Sequence, residues 1–84
     1  MATAESKIKK ILREKYPNAR VTVERVGPGG GIYTVVTTAF EIKDEVTRQD
    51  EIWAWLNEKL TFDDIKHIGF ILTMTPEEEK AYAE

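Results

Sequence analysis

The sequence predicts a single α+β domain in two layers, with helices packed over a three-stranded mixed sheet. Three observations carry that prediction. The apolar period changes from helical to two and back along the chain; a run of glycines separates two β-rich stretches; and Thr75-Pro76-Glu77-Glu78 marks the start of a last helix. The 84 residues suffice for one domain, residues 1–84, and leave no room for a second. The predicted order is helix, strand, strand, helix, short helix, strand, helix.

Ile8, Ile11 and Leu12 repeat at helical spacing, with Tyr16 four residues after Leu12. Thr3 or Ser6 can cap this first helix, and Pro17 ends it because the residue before a proline avoids the α region. Arg20 to Glu24 then alternates apolar and polar residues as a half-buried strand does. Gly27-Pro28-Gly29-Gly30-Gly31 breaks the chain, and Ile32 to Ala39 resumes as a β-branched run, so the two strands form a hairpin.

Asp44 to Leu60 reads as a helix with Val46, Trp53, Leu56 and Leu60 on one face and Ile52 on its flank. Two residues turn a helix by about 200°, so Trp53 and Trp55 cannot both centre that stripe, and Trp55 is the partly exposed one. Thr61 to Asp64 turns the chain or starts one short helical turn. In a third strand, His67 to Met74, strict alternation points Ile68, Phe70, Leu72 and Met74 one way and His67, Gly69, Ile71 and Thr73 the other. The predicted core joins Val21, Val23, Ile68, Phe70 and Leu72 to Ile8, Leu12, Leu56 and Leu60. Finally, Thr75 offers a capping hydroxyl, Pro76 suits the first helical position, and Glu78 can reach back to the cap.

The composition, 42% apolar and 32% charged, is that of a folding chain rather than a disordered one. It contains no cysteine, hence neither a disulfide nor a thiolate ligand, and no stretch of signal-peptide or membrane-span length. These features predict a cytoplasmic protein without a membrane partner. The net charge of −3 argues against a general polyanion binder. Charge is nevertheless uneven: residues 5–15 hold five basic side chains, and residues 41–64 hold eight acidic ones. Both runs read first as solvated helix faces, although Lys9, Lys10 and Arg13 offer a weak phosphate-binding patch.

No catalytic set assembles from this sequence. One histidine and no cysteine exclude a Cys–His pair, and no Ser or Thr stands in a nucleophile-elbow context. The glycine run is not a phosphate loop, since it lacks the Gly-Lys-Ser/Thr ending and leads into a strand rather than a helix. His67 is the one imidazole and cannot hold a metal by itself. Taken singly it reads as a structural or exposed strand histidine.

Its neighbourhood changes that reading. Ala39-Phe40-Glu41-Ile42-Lys43, then Val46 to Trp53, and above all His67-Ile68-Gly69-Phe70-Ile71-Leu72-Thr73-Met74-Thr75-Pro76-Glu77-Glu78 together resemble the BolA-like family. That family has a Phe-Asp/Glu-Gly-Lys segment, a helix with an Arg-His-Arg triplet, and a histidine-bearing strand running into Thr-Pro-Glu-Glu. The resemblance implies a BolA-like, KH-like two-layer fold and a non-enzymatic adaptor for a monothiol glutaredoxin-like partner. It also implies a role in iron–sulfur trafficking or in redox and stress regulation. It marks Lys43, Arg48 and His67 as partner-facing residues, with His67 a ligand to a [2Fe–2S] cluster shared with the partner and no cofactor held alone. Trp55 joins them as a contact residue because its ring lies off the buried stripe and tryptophan is over-represented among binding hot spots. Ile42 stands where the family has glycine, Gln49-Asp50 replaces most of the triplet, and the loop from Val26 to Ile32 lacks the second His or Cys ligand. The resemblance therefore implies a labile complex. An alternative from the same fold is a nucleic-acid-binding transcriptional regulator using Lys9, Lys10 and Arg13. Against it, no Gly-x-x-Gly loop joins two helices and the second helix is acidic.

Overall fold

The computed structural model describes residues 3–27 and 30–83, so the centre of the glycine loop, residues 28 and 29, lies outside the described residues. Helix α1 (Ala4–Lys15) is capped by Thr3, whose hydroxyl accepts from the Ser6 N–H, and it closes with the Tyr16 N–H donating to the Leu12 carbonyl. Strands β1 (Arg20–Arg25) and β2 (Gly31–Val36) pair antiparallel in continuous register from Arg20↔Val36 to Arg25↔Gly31. The second strand stops short of the predicted Ala39. The Thr37 hydroxyl accepts from the Ala39 N–H at 3.2 Å and turns Thr38–Phe40 into one 3₁₀ turn. Such local side-chain bonding competes with the ladder, which β-branched composition alone does not reveal.

Helix α2 (Glu45–Lys59) starts at its Asp44 cap, and the one-turn helix α3 (Phe62–Ile65) starts at Thr61. Strand β3 (Ile68–Met74) lies parallel to β2, giving the mixed sheet order β1-β2-β3, and helix α4 (Pro76–Ala83) follows. The predicted reciprocal cap of α4 is present. Thr75 N–H donates to Glu78 Oε1 at 2.8 Å while Glu78 N–H donates to the Thr75 hydroxyl at 3.1 Å. α1 and α2 cover one face of the sheet, and Ile8, Leu12, Ile52 and Leu56 meet Val21, Tyr33, Val35, Phe40, Ile68 and Ile71 in the core.

Two side-chain assignments change. Phe70 is 56% exposed, whereas Ile71 and Thr73 are buried. The register explains this: Gly31 faces Ile68 but Ile32 faces Phe70, so Gly69 is an extra residue on β3. One inserted residue reverses which side chains face the core, and Ile68 and Ile71 end up on the same side. On α2, Val46 is 69% exposed, and the fully buried line is Arg48, Ile52 and Leu56, each four residues from the last. A buried arginine fills the position where the apolar pattern pointed to valine.

Candidate functional site

His67 immediately precedes β3. Because β3 runs parallel to β2, the start of each strand lies at the same end of the sheet, where the glycine loop enters β2. The loop, the β1 end and the α1 N-terminus thus surround His67. They enclose an open concavity of about 410 Å³ lined by Glu5, Arg25, Gly27, Gly30, Tyr33 and His67, among others. The His67 backbone N–H donates to the Asp64 carbonyl at 3.2 Å, which fixes the residue at the end of α3. Among the described residues no hydrogen bond or ion pair engages its half-buried imidazole. On the rim, Arg25 Nε pairs with Glu5 at 3.5 Å, and Lys9 approaches the same carboxylate at 4.0 Å.

Arg48 sits elsewhere and does not reach a surface. Its Nη2 donates to the Phe40 carbonyl at 2.7 Å, Nε to the Lys43 carbonyl at 2.8 Å, and Nη1 to Glu78 at 2.8 Å and the Thr73 carbonyl at 3.4 Å. Its side chain is 7% exposed, so the expected partner contact is replaced by an internal tie between the 3₁₀ turn, α2, β3 and α4. The Arg48 guanidinium and the Thr75 N–H hold the Glu78 carboxyl below its ordinary pKa. Since Arg48 touches Thr73, six residues along the strand from His67, the two lie roughly 20 Å apart at the rise of a β-strand. They cannot form one small site.

Lys43 is half-buried in an ion pair with Glu51 at 2.6 Å, and the Tyr16 hydroxyl donates to the other oxygen of the same carboxylate. Burial pushes the Glu51 carboxyl up, but the hydrogen bonds from Lys43 and Tyr16 and the charges of Lys43 and Lys15 outweigh it and hold the pKa low. Burial, reinforced by the Glu51 carboxylate, pushes the Tyr16 phenol well above its ordinary value. Trp55 is half-buried against α1, donating from its indole N–H to the Ile11 carbonyl at 2.9 Å. Lys15 and Lys59 lie over its ring at 5.2 and 4.8 Å from the centroid. Lys10 and Arg13 are exposed on α1, and Lys9 is partly drawn to Glu5.

The concavity thus gathers one residue singled out from the sequence, His67, and adds Glu5, Arg25 and Tyr33. No local sequence signal marks those three, because only the parallel crossover brings α1, β1 and β3 to one end. Among the described residues no group of three or more His, Cys, Asp or Glu side chains could hold a metal ion. No helix there is long and apolar enough to cross a membrane.

No family model matches the chain, and no curated protein is significantly similar to it in sequence. Solved structures do match. BolA1 from Arabidopsis thaliana superposes with a TM-score of 0.73 at 19% identity, over 93% of this chain and 98% of that one. A Bol-like protein from Babesia bovis does so with a TM-score of 0.61 at 22% identity, over 100% of this chain and 96% of the other. Sequence motif, element order, mixed sheet and structural matches agree: the chain has the BolA-like fold.

Proposed function

We propose that this chain is a non-enzymatic cytoplasmic adaptor that binds a monothiol glutaredoxin-type protein, in iron–sulfur trafficking or in redox and stress regulation. The observation that carries the reading is His67, an imidazole without an internal partner among the described residues, on the wall of an open concavity. A neutral imidazole can complete the coordination of an iron held mainly by thiolates, as in Rieske-type centres. The donor set limits the arrangement: with one histidine and no cysteine, the chain supplies one ligand and the partner must supply the thiolates. The concavity's glycine-lined rim leaves His67 approachable and offers no second nitrogen or sulfur ligand, which favours a labile heterodimer.

The test is a titration of the wild-type chain and of His67→Ala into a cluster-loaded monothiol glutaredoxin, following the visible absorbance and circular dichroism. The wild type is expected to shift the spectrum and His67→Ala to leave it unchanged. Equal responses from the two would remove His67 as a ligand.

A further inference from the structure

The sheet has two outer edges, and the structure treats them differently. On β3, the Met74 carbonyl faces β2 and accepts from Thr37, so strand alternation turns the backbone groups of Ile71 and Thr73 outward. Both outward carbonyls are taken by α2: Gln49 Nε2 donates to Ile71 at 2.8 Å and Arg48 Nη1 to Thr73 at 3.4 Å. The β1 edge has no such cover. Among the described residues no side chain or loop hydrogen-bonds to the backbone of Arg20–Arg25 beyond its ladder with β2. The strand also has neither proline nor bulge, two of the devices that keep an edge from pairing.

We infer that β1 is a self-pairing edge, and that two copies of this chain join through antiparallel β1 strands into one six-stranded sheet. The occupant follows from the sequence of the strand. An antiparallel pair around a two-fold axis centres on a single residue. Centred on Thr22, it sets Arg20 opposite Glu24 of the second copy, twice, with Thr22 opposite itself and Val21 opposite Val23. From Arg20 to Glu24 each cross-strand pair is then matched in charge or in polarity, and Arg25 falls opposite Ala19 at the margin. Centring on Val21 would set Arg20 against Thr22, and centring on Val23 would set Glu24 against Thr22, and neither joins opposite charges. Arg20 already pairs with Glu79 of α4, and its 59% exposed guanidinium has five N–H donors with which to take Glu24 as well. Because the strands run in opposite directions, the two His67 concavities fall at opposite ends of the joined sheet, each with its own Val23 and Arg25 at the joined edge.

The chain has no cysteine, so Thr22→Cys places one thiol beside its own copy only in the Thr22-centred register. Under mild oxidation this variant is expected to cross-link faster than Lys10→Cys, which reports random collision from an exposed site on α1. Equal rates would overturn the proposal. Sedimentation equilibrium provides the second arm. Arg20→Glu and Glu24→Arg should each weaken dimerisation by roughly 2- to 30-fold, and the double exchange Arg20→Glu/Glu24→Arg should restore it. A wild type that stays monomeric at millimolar concentration, or a double exchange no better than the singles, would also overturn it.

Discussion

Replacing Arg48 by methionine keeps most of the side-chain volume and removes the guanidinium. The structure sets the size of the effect. Two main-chain carbonyls, Phe40 and Lys43, receive charged donors at 2.7 and 2.8 Å. The 3.4 Å approach to Thr73 adds little, and the exposed Glu78 regains water. Hydrogen bonds from charged donors contribute about 1.5–3 kcal/mol each, so the two short ones to Phe40 and Lys43 together set a scale of about 3–6 kcal/mol. Methionine retains contact with the Phe40 ring, over which Arg48 now lies at 5.4 Å, so about 3–5 kcal/mol is expected in all. A chain of this length has only about 4–12 kcal/mol in total, at ~0.05–0.15 kcal/mol per residue. Urea unfolding followed by Trp53 and Trp55 fluorescence measures the loss directly. Arg48→Lys should recover less than half of it, because an ammonium cannot reproduce the fork that spans Phe40 and Lys43. A loss below about 1 kcal/mol for Arg48→Met would show that the tie is not structural and return Arg48 to the list of partner contacts.

Two further outcomes follow from packing and charge. Ile71→Ala should cost about 2–5 kcal/mol as a core truncation, while Phe70→Ala should stay below about 1 kcal/mol; denaturation midpoints in the reverse order would place the Gly69 bulge wrongly. Stability should also fall at both ends of the pH scale. Glu51 and Glu78 have lowered folded-state pKa values, so their contribution is present above the ordinary 4.5 and is lost as pH falls through the folded values. Tyr16 is raised, so its contribution is complete below the ordinary 10.0 and is lost as the unfolded phenol ionises above it. Thermal melts from pH 2.5 to 11 read both limbs, and Tyr16→Phe should flatten the alkaline one.

The local chemistry of the chain was legible in its sequence. Thr3 and Thr75 cap the helices they precede, Pro17 stands just beyond the first, and the glycine run does separate two paired strands, whereas Asp44 caps the second helix from just outside it. What the sequence concealed was non-local. Strict alternation through His67–Met74 gave the wrong inner face because Gly69 is looped out against Gly31, and a strand pattern carries no mark of such an insertion. Nothing local marks Arg48 as buried rather than partner-facing, because burial of a guanidinium depends on acceptors from other segments, Phe40, Lys43 and Glu78 among them. His67 was singled out by motif, yet its neighbours Glu5, Arg25 and Tyr33 emerge only once β3 lies beside β2.

That parallel β2–β3 pairing also shapes how the chain reaches its fold. The β1–β2 hairpin closes a short loop and can form early, but an isolated two-stranded hairpin is marginal in water. β3 cannot join until everything between Val36 and Ile68, including α2, has been brought round. Closing that long segment costs chain entropy before any contact of β3 compensates it, so docking of β3 is the natural late step. Gln49 and Arg48 reach the β3 carbonyls from α2, the element that delivers the strand. Until they do, the waiting chain exposes one more unguarded edge than the finished protein, and crowding at that stage favours pairing between chains over completion within one.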